Sequence, residues 1–167
     1  YKGNGFIVHS DGGTKLIRTS QHVVKTLAVN VVVPTYFSES CGGKTNARLL
    51  FVDADRDLAL LQSDGVHRQI EPILLTDEPT RYGNKLFLLT FFDMDEPIVV
   101  CPGTFPGEIT LHEPNLVEII RGSYTVKPRS LGAPVITIPS CEAVGVNIDA
   151  HVGMKGVVSV RTILAAL

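Results

Sequence analysis

Apolar residues along this chain fall in short runs broken by Gly, Pro, Asp and Asn, a rhythm that fits strands better than helices. Residues 5–9 and 14–19 flank Ser10-Asp11-Gly12-Gly13, which predicts a tight hairpin. Similar runs follow at 27–33, which is β-branched and ends at Pro34, and at 47–52, 58–62, 85–91, 98–101, 116–120, 134–138, 143–148 and 156–160. Only 19–26 and 161–167 read as helical, and both are short. So many short strands with little 3.6-residue periodicity predict an all-β sandwich or a pair of barrels. Asp64-Gly65, Pro72, Asp77 and Pro79 cluster where a connector between two halves would run, about 64–80.

Composition narrows the function classes. The chain has 167 residues and is 44% hydrophobic, enough for one domain with a sizeable core or two small barrels sharing one. Net charge is −2 and the 15 basic residues are scattered, so no nucleic-acid footprint is visible. The apolar runs are far shorter than the roughly 20 residues of a membrane span. The first residue is Tyr1 and no leader is seen, so the chain reads as a domain of something longer. Three cysteines, Cys41, Cys101 and Cys141, form neither a disulfide framework nor a zinc set. They read as buried or loop thiols of a reducing, intracellular compartment. No cofactor or metal ligand set is expected.

Four segments carry chemistry or its surroundings. Gly3-Asn4-Gly5-Phe6-Ile7-Val8 precedes Thr19-Ser20-Gln21-His22-Val23-Val24; Asp57-Leu58-Ala59-Leu60 opens an apolar run; Leu75-Thr76-Asp77 leads to Tyr82-Gly83-Asn84; and Lys127-Pro128-Arg129-Ser130-Leu131-Gly132-Ala133-Pro134 precedes Ala143-Val144-Gly145-Val146-Asn147. In this order they resemble the landmarks of chymotrypsin-type serine proteases of the HtrA/Deg kind: GSGFI…TNxHVV, DLAxL, the interbarrel connector, NPGNSGGPLV and VxGVN. The resemblance covers nearly the whole chain. It implies two packed antiparallel six-stranded β-barrels with a short C-terminal helix: a first barrel at about 1–63, a connector at 64–80, a second barrel at 81–160 and the helix at 161–167. His22 would be the general base and Asp57 the carboxylate that fixes its tautomer. The wall of the specificity pocket would lie near Thr125 and Asn147, Ile148, Asp149 and Ala150. The stretch 146–150 would offer an edge to which an extended peptide adds.

The fourth motif departs from the family. Pro128, Gly132 and Pro134 match without a gap, which puts Leu131 where the nucleophilic serine belongs, and Leu has no oxygen to attack a carbonyl. Arg129 replaces a Gly whose backbone N–H helps form the oxyanion hole, worth roughly 3–4 kcal/mol per donor. These changes predict a domain without protease activity that binds peptide or protein segments or serves as a scaffold. The alternative is an active endopeptidase that uses the displaced Ser130 with His22 and Asp57. Other signals carry less. Cys41-Gly42-Gly43-Lys44-Thr45 lacks the first Gly of a phosphate-binding loop, Ser38 standing there. Asp93, Asp95 and Glu96 lack the spacing of a Ca²⁺ loop. His112, His151, Ser123, Thr125 and Ser140 lie outside any triad motif as nucleophiles or bases, and Cys141 is too far along the chain from 131 to serve.

Overall fold

The computed structural model describes residues 3–37, 43–65, 70–76, 81–91, 98–105, 109–112, 117–120, 130–138, 140–148, 156–159 and 163. Twelve strands run in chain order among them: β1 (Gly5–Asp11), β2 (Thr14–Thr19), β3 (Val32–Tyr36), β4 (Lys44–Asp53), β5 (Leu58–Ser63), β6 (Lys85–Thr90), β7 (Val99–Thr104), β8 (Ile109–His112), β9 (Val117–Ile120), β10 (Pro134–Thr137), β11 (Ala143–Ile148) and β12 (Gly156–Ser159). They form two antiparallel sheets, β1-β2-β5-β4-β3 and β7-β6-β10-β11-β12-β9-β8. The all-β architecture is as expected. Among the described residues the strands divide five and seven, where the sequence suggested six and six.

Alternation along the strands builds three apolar clusters. Ile17, Val24, Ala47, Leu49, Ala59 and Leu61 fill the first half. Leu86, Leu88, Phe105, Ala133, Val135, Val144 and Val157 fill the second. The third lies in the seam: Phe6 and Leu58 of the first sheet meet Ile136, Ala143, Val146, Ile148 and Ile163 of the second half, with Ile73 and Leu75 packed against them. Strand β5 serves two clusters because successive side chains leave opposite faces, Leu58 toward the seam and Ala59 into the first half. The connector is stitched to both halves, Ile73 N–H donating to Ile7 O and Thr76 N–H to Ala143 O, each at 2.9 Å.

Several sequence expectations shift. The helical reading of 19–26 shrinks to a single 3-10 turn, Gln21–Val23, because Thr19 still belongs to β2 and pairs with Gly5 and Ala59. The strand expected at 27–33 begins only at Val32. Asn30, at φ 75°, breaks the extended path, and Leu27 and Val31 donate instead to Val24 O and Ala28 O. That strand then runs through Pro34, which is tolerated because β3 pairs with β4 alone. Lys44 and Thr45 open β4, so the stretch resembling a phosphate loop leads into a strand and no helix. Of 161–167 only Ile163 is described; it is helical and fully buried.

Candidate active site

The first wall is built where β2 ends. Ser20 caps the 3-10 turn, its hydroxyl accepting from His22 N–H at 3.3 Å. Across from it Asp57 ends the turn before β5, at φ 57°, a left-handed conformation that Asp adopts more readily than most residues. Asp53 and Arg56 shape that turn: Arg56 N–H donates to Asp53 Oδ1 at 3.0 Å and Nη1 to Oδ2 at 2.8 Å. Asp53 is therefore a turn-forming residue.

Three donors converge on one oxygen. Asp57 Oδ1 lies 2.8 Å from His22 Nδ1, accepts the His22 backbone N–H at 3.0 Å and accepts the Ser20 hydroxyl at 2.8 Å. With Nδ1 facing a carboxylate, its proton sits on Nδ1 and points at Asp57. Exposure grades along the chain of groups: the His22 side chain is 26% exposed, the Asp57 side chain 12%, and Ser20 is fully buried. Ser20 is a member the motif reading passed over. Its signal was present, a Ser opening a short helical turn two residues before the His.

The second wall is the turn at 130–133. Leu131 is buried, and its carbonyl accepts from Asn4 N–H at 2.7 Å. Gly132 has φ 84°, and a Cβ there would collide with the Asn4 carbonyl and the Thr19 hydroxyl. Asn147 grips this turn with its backbone N–H, its backbone carbonyl and its side-chain Nδ2. Its N–H donates to Ala133 O at 2.9 Å, its carbonyl accepts from Gly132 N–H at 2.8 Å, and Nδ2 donates to the Ser130 carbonyl and hydroxyl at 3.1 and 3.3 Å. Ser130 is 1% exposed.

Two expectations about substrate contact fall on residues of this arrangement. Asn147 is fully buried and serves the turn, so it does not line a surface. Along 146–148, β11 pairs with β12 as far as Ile148↔Gly156 on one side, and on the other the β10 pairing runs to Pro134↔Val146, with Asn147 bonded beyond it to Ala133 and Gly132. Ile148 belongs to the seam core. Thr125, Arg129, Asp149 and Ala150 lie outside the described residues, as do Cys41, Ser123, His151, Asp93, Asp95 and Glu96.

One charged group stands apart. Arg18, on β2 between Phe6 and Leu60, is 4% exposed and its Nε has no acceptor. Burial alone lowers its pKa from the ordinary arginine value. Among the described residues no three His, Cys, Asp or Glu side chains are grouped as a metal would need, and no helix is long and apolar enough to cross a membrane.

A two-sheet fold with a His–Asp pair on one wall and a positive-φ glycine turn on the other belongs to a recognisable class. The family model of the trypsin-like peptidase domain matches residues 3–146, and the chain belongs to that family. Solved structures agree on the fold. Deg5 is 22% identical with a TM-score of 0.77, covering 98% of this chain and 80% of its own. The Rv3671c protease of M. tuberculosis H37Rv, in an inactive form, is 19% identical with a TM-score of 0.78, covering 98% of this chain and 81% of its own. The MamO protease domain from Magnetospirillum magneticum is 20% identical with a TM-score of 0.73, covering 99% of this chain and 87% of its own. No curated protein matches the chain in sequence. HtrA/Deg-type proteases are thus among its structural relatives, as the motifs implied.

Proposed function

We propose that this trypsin-like domain no longer cleaves peptides and is retained to bind peptide or protein segments, or as a scaffold within a larger chain. Residues 1–167 would form one unit, with a first barrel at about 1–63, a connector at about 64–80, a second barrel at about 81–160 and a terminal helix, and a cleft between the barrels. The observation that carries the reading is the 130–133 turn. Its register in the sequence gives the nucleophile position to Leu131, and the hydroxyl of the neighbouring Ser130 is buried and held by Asn147. A carbon side chain offers no lone pair for attack, and loss of the nucleophile removes nearly all the rate advantage of a triad. Arg129 in place of the oxyanion-hole Gly points the same way.

The intact His22–Asp57 pair favours a second reading, in which Ser130 serves as a displaced nucleophile. That would require Ser130 to leave Asn147 and the turn to be rebuilt. Incubation with a fluorophosphonate probe separates the two. The expected result is no labelling of the unmodified protein and no turnover of unfolded casein. Labelling that disappears in Ser130→Ala would overturn the inactive reading and establish the displaced triad.

A further inference from the structure

We infer that Asn4 is a positioning residue that sets the spacing of the two halves at the candidate active site. It lies between Gly3 and Gly5 just before β1, and it is 9% exposed. Its side-chain amide reaches the second half: Nδ2 donates to Phe91 O and Phe91 N–H donates to Oδ1, both at 2.8 Å. The amide thus pairs with a backbone as one strand residue pairs with another, in both directions. Its own backbone serves two more segments. The N–H donates to Leu131 O at 2.7 Å, and the carbonyl accepts the Thr19 hydroxyl at 2.5 Å.

One residue therefore joins four places: the start of β1, the end of β2 that leads into the His22 turn, the end of β6, and the Leu131 turn. Ser20, His22 and Asp57 bond among themselves in the first half, and Ser130 and Asn147 in the second. Apolar contacts also join the halves: the seam of Phe6 and Leu58 against Ile136, Val146 and Ile148, and the Tyr36 ring set edge-on to Phe91 with centroids 6.1 Å apart. Apolar burial is non-directional, so it holds the sheets together without fixing how they are turned. Hydrogen bonds have a narrow range of length and angle and fix that register. Gly132 reports how close the fit is, since a Cβ there would strike both the Asn4 carbonyl and the Thr19 hydroxyl. A Ser at position 4, as in the GSGFI pattern, has a shorter side chain and one oxygen in place of the separate amide N and O that face the C=O and N–H of Phe91.

The inference is independent of whether the cleft binds or cuts. Its test is a distance measurement across the two sheets. Spin labels are placed at Val32→Cys and Val100→Cys, 56% and 53% exposed, after Cys41, Cys101 and Cys141 are changed to Ser. The parent should give one narrow distance distribution by pulsed dipolar spectroscopy. In Asn4→Ser that single narrow distance should be lost to a broader spread. Asn4→Asp keeps an acceptor for the Phe91 N–H but not the donor, and should broaden less. An unchanged distribution in Asn4→Ser would sink the proposal even if the melting temperature fell, because Asn4 would then contribute stability alone. If Asn4→Ser does not fold, Asn4→Asp decides: broadening supports the latch, and the parent's distribution overturns it.

Discussion

On the His22 side of the candidate site the polar groups agree with one another. Asp57 receives three donors on a single oxygen, one from the ring, one from the backbone and one from buried Ser20. On the Leu131 side the backbone is held just as firmly, by Gly132 at positive φ, by Asn147 along β11 and by Asn4 from the other half. Yet in the register proposed above the side chain at the nucleophile's position is a hydrocarbon, that of Leu131. The difference teaches that the shape of such a turn and its chemistry have separate sources. The bonds that hold the turn come from Asn4, Asn147 and the backbone of Gly132 and Ala133, and none uses the side chain of residue 131.

The largest expected effect follows directly. If shape and chemistry are separable, Leu131→Ser combined with Arg129→Gly should turn a protein that takes no fluorophosphonate into one that labels, because each change restores a different part of the barrier lowering. The label should map to residue 131 by peptide mass spectrometry and vanish when His22→Ala is added. A double variant that folds but does not label would break the comparison, showing that the turn has drifted along with its chemistry.

Next in size is the backbone of that turn. Gly132→Ala places a Cβ against the Asn4 carbonyl and the Thr19 hydroxyl in a left-handed conformation that L-residues rarely adopt. A loss of roughly 3 kcal/mol or more in unfolding free energy is expected, read from the urea midpoint. A loss below about 1 kcal/mol would mean that the turn yields easily, contrary to a firmly held second wall.

The sequence disclosed these two walls unevenly. The His22–Asp57 contact was legible because its two members sit in local motifs: a Ser-capped turn after one strand, an acidic residue before the next. The strand content was legible from alternation, and the seam was approached through the Pro and Gly cluster near 64–80. The grip of Asn147 on the turn was not legible because alternation shows that a residue faces inward or outward without showing which neighbour it serves; the bonds to Ser130, Gly132 and Ala133 appear only in the fold. Asn4 left no trace, since its partners Phe91 and Leu131 are remote in the chain and an Asn between glycines reads as an ordinary turn. The strand expected at 27–33 was displaced because β-branched residues outside a sheet look the same as those within one, and Val29 and Val31 are exposed. Strand β8 was missed because Ile109–His112 is too short to show a period.

The smallest effect tests the first wall. Ser20→Ala removes the buried hydroxyl that donates to Asp57 Oδ1 at 2.8 Å, while His22 Nδ1 and the His22 backbone N–H remain on the same oxygen. The cap of the 3-10 turn does not fail with it: the His22 N–H is closer to Asp57 Oδ1, at 3.0 Å, than to Ser20 Oγ, at 3.3 Å. What is lost is one hydrogen bond to a charged group out of water, so a cost of about 1.5 kcal/mol is expected by urea unfolding. Thr14→Ala supplies the contrast. Its hydroxyl also donates to a carboxylate, Asp64 at 3.1 Å, but in an exposed position where water replaces it. That variant should change stability by less than about 0.5 kcal/mol. If the two substitutions cost the same, Ser20 adds nothing that solvent would not, and the three-donor grip on Asp57 reduces to the pair made by His22 itself. A clear excess for Ser20 would show that the first wall, unlike the second, keeps polar groups whose arrangement serves the imidazole as well as the fold.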